Sequence, residues 1–536
     1  MMSTFRACAL LALGVVSALA CGTSPAPFNG GDAGVDGQGL PDVVSCTGGQ
    51  TSCNGACVDT KTSTTNCGGC GRSCATGESC CGVGSCSSDP SCDLTLTNVS
   101  MDHGYLGGGA YVTLHGKGFA AGMRAFVGDG RAPVRVVDAT TALLLTPPAP
   151  FGVYDVHVQL GTVTATLPKA FTYRSETFGK QWVEISMSSP RGNFPAMTTL
   201  QDGRVLVVGG TSTSQPTSSL NTGELFDPVT HKMTAAANAM SVPRNTASAI
   251  TLLDGRALVV GACNVQTGNG CLQAGDRAAA DLFDPATNKF SPTKGPLNDS
   301  TRVYMRLTLL PDGRVLVTSG SNVAEVFDPS TDTFTTLTAK SGNSAFGFPA
   351  RLRDGRVAFV SDKVEVYDPD TDKISAVAAG VAHGSAAVYT LPDGRVMSPG
   401  GADVVSGTVT PTDEVAILDV AKPEVKILPQ KLSAPRLKFA SALLGDGTVM
   451  VAAGVAGNYP VSYGCQSNTF PTTKAVDVVD VVAATVAPFP ALNDTNMELV
   501  AATLLDGSIL IGGGAPCGGA GAYPYVYFLE SVPPPN

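Results

Sequence analysis

Between residues 194 and 513 the chain alternates short apolar runs with polar punctuation, and the alternation repeats. The dipeptide Asp-Gly recurs at Asp202, Asp254, Asp312, Asp354, Asp393, Asp446 and Asp506, each time between two apolar runs, as in TTLQDGRVLVVGG and LTLLPDGRVLVTSG. A second mark follows in the first four copies: LFDPVT (225–230), LFDPAT (282–287), VFDPST (326–331) and VYDPDT (366–371). A spacing of 39 to 60 residues between copies is the signature of a repeat architecture. One copy reads as four strands: AITLL (249–253), ALVVGA (257–262), ADLFDP (280–285) and the short NKF (288–290). Asp254-Gly255 supplies the φ > 0 positions of a two-residue hairpin between the first pair. Asp-Pro-x-Thr makes the turn between the third and fourth, with Pro at its second position. Runs such as VLVV are apolar on successive residues, so both faces of each small sheet are buried.

Sheets buried on both faces must stack against neighbours, and radial stacking does this for a repeat of this length. The last copy has its hairpin (LVAATLLDGSILIGGG, 499–514) and a third strand (YVYFLE, 525–530) but no fourth. QWVEISMSSPR (181–191) precedes the first hairpin and matches the fourth-strand position, so an N-terminal strand is expected to close the ring and leave no open edge. The DGRVLVVGG…ELFDP motifs resemble the bacterial kelch repeat over residues 181–530, which implies a seven-bladed β-propeller. Copies five to seven depart from the pattern, with Asp419 and Asp480 lacking the following Pro.

Three segments precede the repeats. Residues 93–173 read as short strands (LTLTNVS, AYVTLHG, RAFVGD, PVRVVD, ALLLTP, YDVHVQL, ATLPKAFTY) with turns between them, the pattern of a β-sandwich. At GGGAYVTLHGKGF (107–119), DATTALLLTPPAP (138–150) and LPKAFTY (167–173) the segment is similar to the IPT/TIG immunoglobulin-like domain. The resemblance implies that Gly116 and Gly118 shape the strand end before an inward-packed Phe119. Some such domains bind DNA; the charge and export signal of this chain point instead to a spacer or protein-contact module. Residues 46–92 hold ten cysteines: Cys46, Cys53, Cys57, Cys67, Cys70, Cys74, Cys80, Cys81, Cys86 and Cys92. So short a segment cannot build a sufficient apolar core, and disulfides replace it. The run CNGACVD…NCGGCGRSC…GESC resembles the stigma-specific cysteine-rich family and its bacterial relatives. Cys67 and Cys70 form a CxxC, but the segment has no His and its cysteine density suits staples better than zinc. Five bridges are possible and their connectivity stays open.

The first residues carry an address. After Arg6, CALLALGVVSALA (8–20) is apolar but too short for a permanent membrane span. With Ala18 and Ala20 ahead of Cys21, residues 1–21 resemble a bacterial lipoprotein signal, which implies cleavage before Cys21 and acylation of its thiol; an ordinary signal peptide is the alternative. Leu19 lies one place nearer the cysteine than that family's usual Leu, and Gly22, rather than Asp, favours the outer membrane. Residues 22–45 are a Gly, Pro, Ala and Asp tether, and a lipid would be the only membrane anchor.

The expected architecture is therefore all-β: a small disulfide-rich module, an immunoglobulin-like (IPT/TIG) sandwich and a seven-bladed kelch-type propeller. Composition agrees, with 62 Gly, 36 Pro and only 15% charged residues in 536. A net charge of −10 argues against nucleic acid as the partner, since no cation excess is available to neutralise phosphates.

Strand order places the tight turns on one face and the variable loops on the other. From the hairpin Asp to the third-strand Asp is 25, 30, 16, 14, 26 and 34 residues in the first six copies, so length varies on the second face. Loops around 211–223, 262–280, 401–414, 455–474 and 514–523 are the candidate binding surface. Arg191, Arg244, Arg302 and Arg436 recur just before the first strand, where they could ring the channel mouth and hold an acidic ligand, or bond carbonyls of the neighbouring blade. Tyr459, Tyr463, Phe470 and Tyr523 fall in the longest loops and suit sugar stacking or protein contact, or packing of the loops themselves. Cys263 and Cys271 share a loop and are expected to bridge, as are Cys465 and Cys517 across adjacent blades.

Chemistry is sparse. Some kelch propellers are copper radical oxidases needing two His and two Tyr at one metal; this repeat region has only His231 and His383, expected on opposite faces. There is no HExxH and no GxSxG, and DPDTDK (368–373) lacks the Gly and spacing of a calcium loop. The arginines of the five Asp-Gly-Arg tripeptides, Arg204, Arg256, Arg314, Arg356 and Arg395, read as solvated turn residues. No catalytic residue, metal site or cofactor is assigned. The expectation is a lipid-anchored envelope protein of binding or adhesion type, presenting its loop face to a polysaccharide or a protein. The alternatives are a propeller enzyme acting on envelope carbohydrate and a purely structural assembly module.

Overall fold

The computed structural model describes residues 46–81, 85–192, 194–212, 219–261, 278–299, 304–343, 345–377, 380–381, 384, 387–460, 471–495, 497–514 and 524–532. Its larger part is built from seven four-stranded antiparallel sheets. The first runs Ala196–Thr199, Val205–Val208, Gly223–Asp227 and Lys232–Ala235, and the second Ser248–Thr251, Ala257–Val260, Ala280–Asp284 and Lys289–Pro292. Four more follow in chain order, beginning at Arg306–Leu309, Phe348–Arg351, Tyr389–Thr390 and Ala440–Leu443. In all seven the second strand is buried along its whole length, as the unbroken apolar runs require.

What covers those faces is the next sheet. Leu206 and Val208 of the first sheet share an apolar cluster with Val259 and Phe283 of the second. Leu258 and Val260 then pack on Val315 and Phe327, Leu316 on Phe359 and Tyr367, Val360 on Val396 and Leu418, Met397 on Val449 and Val479, and Met450 on Ile509 and Tyr527. The last sheet returns to the first through Leu510, Val526 and Phe528 against Val205 and Phe226. Apolar packing thus runs from sheet to sheet and closes on itself, a propeller-like arrangement.

The closing sheet joins the two ends of the region. Val183–Ser186 pairs with Tyr525–Leu529, which continues to Ile509–Gly512 and Val500–Thr503. Trp182 holds this strand in place. Its indole N–H donates to the Pro490 carbonyl at 2.8 Å, and its ring meets Phe489 and Tyr527 edge-on.

The Asp-Gly hairpins differ from the two-residue turn expected. In the first, Gly203 N–H donates to Leu200 O and Leu200 N–H to Arg204 O, so Gln201, Asp202 and Gly203 form a three-residue loop. Only the glycine is left-handed (φ 88° at Gly203), while the Asp202 carboxylate accepts the Arg204 N–H. This is a type I turn followed by a left-handed residue, and it uses Asp as a side-chain acceptor rather than for positive φ. The arginines that follow are not simply solvated. Arg204 donates to Pro285 O of the next sheet's turn, and Arg256 to Pro329 O and Asp332.

Residues 95–174 form a sandwich of a four-stranded and a five-stranded sheet around a core that includes Val112, Leu114, Phe119, Val156 and Phe171. Phe119 packs inward; a Cβ at Gly116 would collide with its ring and with the Thr95 carbonyl. The sandwich is not an extended spacer. It docks on the tight-turn face of the seven sheets, with Leu106 N–H on Gly445 O (3.0 Å), Val134 N–H on Pro311 O (3.0 Å) and Arg131 N–H on Arg353 O (2.6 Å). Arg131 also grips Asp370 with two bonds of 2.7 and 2.9 Å, Arg124 reaches the same carboxylate at 3.1 Å, and Arg353 pairs with Asp129. The DPDTDK turn thus supplies a docking carboxylate. Ahead of the sandwich, five disulfides staple the cysteine-rich module: Cys46–Cys57, Cys53–Cys70, Cys67–Cys80, Cys74–Cys86 and Cys81–Cys92. Such density marks an exported protein. No helix among the described residues is long and apolar enough to cross a membrane.

Where sandwich meets ring, Glu176 is buried, with 6% of its surface exposed. Burial pushes its carboxyl up to about 7; a hydrogen bond from Tyr105 works against the rise and the nearby Asp506 adds to it. A raised carboxyl pKa means the folded state holds a proton that the unfolded state has released. Its stabilising contribution is complete below the ordinary value of 4.5 and is lost as pH rises through about 7. Glu176→Gln should remove that loss, so melting curves of the variant and the wild type should diverge as pH is raised across this window. Identical pH profiles for the two would show that Glu176 is not buried in this way.

Candidate functional site

The first strands of the seven sheets line an axial channel. Its lining mixes apolar side chains such as Met197, Ile250 and Leu307 with the hydroxyls of Thr199, Thr251, Thr390, Ser441 and Thr503. Near the tight-turn end, in five of the seven sheets, a side chain three residues before the Asp of the hairpin bonds a carbonyl of the preceding sheet; Leu309 and Leu443 hold the place in the other two. Thr251 donates to Thr199 O (2.8 Å), Thr199 to Thr503 O (2.8 Å), Thr503 to Leu443 O (2.9 Å) and Thr390 to Arg351 O (2.7 Å). In the fourth sheet Arg351 takes this place, with Nη1 on Leu309 O at 3.0 Å. The docked sandwich forms the floor, where Tyr105, Gly107 to Tyr111 and Thr146 complete a cavity of about 550 Å3. Access is left from the variable-loop face, where a shallower hollow lies among Pro195, Ser248, Arg306 and Phe439.

The arginines expected to ring this mouth are elsewhere. Arg191, Arg244 and Arg436 have no exposed surface. Each guanidinium reaches the carbonyls where the second and third strands of its sheet part, and a carboxylate on the third strand. Arg191 bonds Gly209 O (3.0 Å), Thr222 O (2.9 Å) and Glu224 (3.0 Å). Arg244 bonds Gly261 O (2.8 Å), Ala279 O (2.9 Å) and Asp281 (2.5 Å), and Arg436 bonds Ala475 O (2.7 Å) and Asp477 (2.5 Å). The backbones of Arg244 and Arg436 meanwhile pair with the preceding sheet, Arg244 with Leu220 O and Gly210 N–H and Arg436 with Thr412 O and Gly401 N–H. The geometry supports a structural staple, with the difference that the carbonyls bonded by each side chain belong to the sheet the arginine leads into and not to the neighbouring one, and a ligand cannot reach these groups. Arg302 lies outside the described residues.

The acidic partners are what the sequence reading missed. Glu224, Asp281, Glu325, Glu365 and Asp477 occupy the same strand position, all nearly fully buried. Each accepts hydrogen bonds from the connection that leads into its sheet: Ser188 and Ser189, Ser241, Asn298 and Asp299, Ser341 and Gly342, and Ser433. A lone carboxylate inside an otherwise apolar strand (GELFD, ADLFD, VEVYD, VDVVD) was the available signal.

At the mouth itself the structure brings together residues the sequence did not single out. Phe194 and Tyr304 meet edge-on at 5.8 Å, and Lys438 Nζ lies 5.6 Å from the Phe194 ring while pairing with Glu498 at 2.6 Å. They come from the connections into the first, third, sixth and seventh sheets, so they converge across the channel opening. All four are left-handed, with φ of 48°, 53°, 55° and 62° for Phe194, Tyr304, Lys438 and Glu498. Non-glycine residues held so cost on the order of 1 kcal/mol each, and such outliers concentrate at functional sites. Tyr304 is 55% exposed.

Tyr459 stands beside this cluster. Burial raises its phenol pKa, with Lys438 opposing and Glu498 adding. It belongs to a small extra sheet formed by Ala402–Val405, Thr408–Pro411 and Tyr459–Pro460, which fuses two of the long loops. Tyr463, Phe470, Tyr523, Cys263, Cys271, Cys465, Cys517, Cys21 and His383 lie outside the described residues. His231 packs against Phe528, with ring centroids 4.9 Å apart. Among the described residues, the one group with metal-ligand proximity is Cys67, Cys74 and Cys86, and all three sulfurs are committed to disulfides.

Comparison with known proteins agrees with this architecture. Residues 94–173 match the IPT/TIG domain family. No curated protein matches the chain. Among solved structures the chain is similar to a fungal alcohol oxidase of the AA5 family, described in complex with copper, with a TM-score of 0.51 and 16% identity over 67% of this chain and 77% of that one. A fainter likeness is to virginiamycin B lyase from Staphylococcus aureus, with a TM-score of 0.43 and 11% identity over 66% of this chain and 99% of that one. At 16% identity the first likeness concerns the fold alone.

The staple makes a stability prediction. Arg244→Ala would leave Asp281 buried with the hydrogen bonds of Ser241 but no cation, and should cost roughly 3–5 kcal/mol in denaturant unfolding. Arg244→Met combined with Asp281→Leu should recover much of that loss. A cost for Arg244→Ala under about 1 kcal/mol would mean the pair is not what anchors the connection.

Proposed function

We propose that this is an exported, envelope-anchored binding protein whose sheets form a seven-bladed kelch-type propeller, and that the free face of the propeller takes a carbohydrate. One observation carries the reading. The sandwich occupies the tight-turn face and floors the channel, so the mouth bearing Phe194, Tyr304 and Lys438 is where a ligand has access. Aromatic rings beside a cation, above a cavity that mixes apolar side chains with hydroxyls of Thr199, Thr251, Thr390 and Thr503, suit a sugar ring, which presents C–H faces to stack and hydroxyls to hydrogen-bond. The disulfides and the signal-like first residues support export, and the resemblance around Cys21 supports a lipid anchor.

The exported chain should retain one or a few glycans from a panel of envelope polysaccharides and oligosaccharides. Tyr304→Ala and Phe194→Ala should each weaken that binding about tenfold, the equivalent of a lost aromatic contact, without lowering the cooperativity of unfolding. Cys21→Ser should move the protein from the membrane to the soluble fraction. Capture of a protein from outer-membrane extract, equal for wild type and both aromatic variants and with no glycan retained, would replace the carbohydrate reading with an assembly role.

A further inference from the structure

The channel holds two cations and no anion. Arg306 and Arg351 line it, and among the described residues around the cavity and the hollow above it there is no Asp or Glu. The whole chain carries a net charge of −10, so the channel departs from the chain's overall sign. Glu498 at the mouth is already paired with Lys438.

Arg306 has little reason to be an arginine for the sake of the fold. It makes no hydrogen bond or ion pair among the described residues, and its contact is the Phe348 ring, 3.8 Å below its guanidinium carbon. Burial pulls its pKa down to about 10, which still leaves it charged at neutral pH. Arg351 does have a structural bond, Nη1 to Leu309 O, but Thr199, Thr251, Thr390 and Thr503 show that a threonine hydroxyl suffices in that ring. Its further donors are more than the ring needs. A desolvated guanidinium without a carboxylate is costly unless something completes it.

We infer that the channel takes a ligand bearing a carboxylate, which enters from the free mouth and is gripped by Arg306, with Arg351 deeper in the channel drawing it inward. A planar fork over an aromatic ring matches a carboxylate in a two-bond geometry. A cavity of about 550 Å3 accommodates a single sugar unit. With the carbohydrate reading on which it rests, this makes the ligand an acidic sugar of the uronate type. Its source is either the free monosaccharide acid or the terminal acidic residue of a polysaccharide.

The test is calorimetric titration and thermal melting of the exported chain with glucuronate, an oligo-uronate, glucose and acetate. Wild type, Arg306→Gln and Arg351→Thr are compared, the last keeping a donor for Leu309 O. Glucuronate or the oligo-uronate should bind at least about tenfold more tightly than glucose, and Arg306→Gln should lose about tenfold or more of that affinity. Arg351→Thr should weaken it less. Without ligand, Arg306→Gln should melt at or above the wild-type temperature, because it removes an uncompensated cation. A preference for the oligo-uronate identifies the polymer end as the source, and a preference for glucuronate the free acid. Acetate binding as tightly as glucuronate would keep the anion site and remove the sugar. Glucuronate bound no more tightly than glucose, and equally by wild type and Arg306→Gln, would overturn the inference and leave the carbohydrate reading standing; no binding of any carboxylate would overturn it. An Arg306→Gln variant that melts far below wild type without ligand would also overturn it, since the arginine would then be a structural group.

Discussion

A guanidinium sealed against a carboxylate at the open edge of a sheet is the constraint on which the variable face depends. Where the second and third strands part, the last ladder bonds, such as Gly209 N–H to Thr222 O and Ala453 N–H to Ala475 O, leave carbonyl acceptor capacity buried at the sheet edge, and unmet buried acceptors are expensive. Arg191, Arg244 and Arg436 satisfy those carbonyls and are neutralised by Glu224, Asp281 and Asp477. Each carboxylate in turn accepts N–H groups of the incoming connection. Because the backbones of Arg244 and Arg436 pair with one sheet and their side chains with the next, those connections are fixed at both ends. Loops beyond them can then differ in length without loosening the ring.

Inside that frame the chemistry is graded from outside to axis. Between sheets the contacts are apolar and large, with Phe226, Phe283, Phe327 and Phe359 fully buried. At the axis, threonine hydroxyls stand among apolar side chains such as Met197, Ile250 and Leu307 and bond carbonyls of the preceding sheet. Apolar packing holds neighbours together without direction; the hydroxyl bonds of Thr199, Thr251, Thr390 and Thr503 add direction to the first strands that carry them. The sandwich then converts a through-channel into a cavity with one open end. Its docking relies on backbone hydrogen bonds and on Arg131 gripping Asp370. It therefore reads the shape of the turn face as much as its charge.

Much of this was legible. The period of Asp-Gly marks and the unbroken apolar runs announced four-stranded units buried on both faces. The incomplete last copy announced that a strand near residue 183 would have to finish it, and Val183–Ser186 does pair with Tyr525–Leu529. The carboxylates of the third strands and Arg306 and Arg351, six and three residues before Asp312 and Asp354, were in plain view as well. Nothing in a one-dimensional pattern says whether a polar residue among apolar ones is a staple or a site, because that depends on what lies across from it. Arg244 and Arg306 look alike in sequence; one meets Asp281 and two carbonyls, the other a phenylalanine ring and an open channel.

The sequence by itself determined the local elements, their number per repeat, the burial of both sheet faces and the disulfide-dense module, since these follow from side-chain periodicity and from loop and cysteine spacing. Only the tertiary structure decided which face is free, where the channel closes and which cations find partners. Those depend on rigid-body docking of the sandwich and on residues such as Phe194, Tyr304, Lys438 and Glu498 that converge from distant connections. Contacts of that kind are set by the closure of the ring in three dimensions, to which sequence distance gives no access.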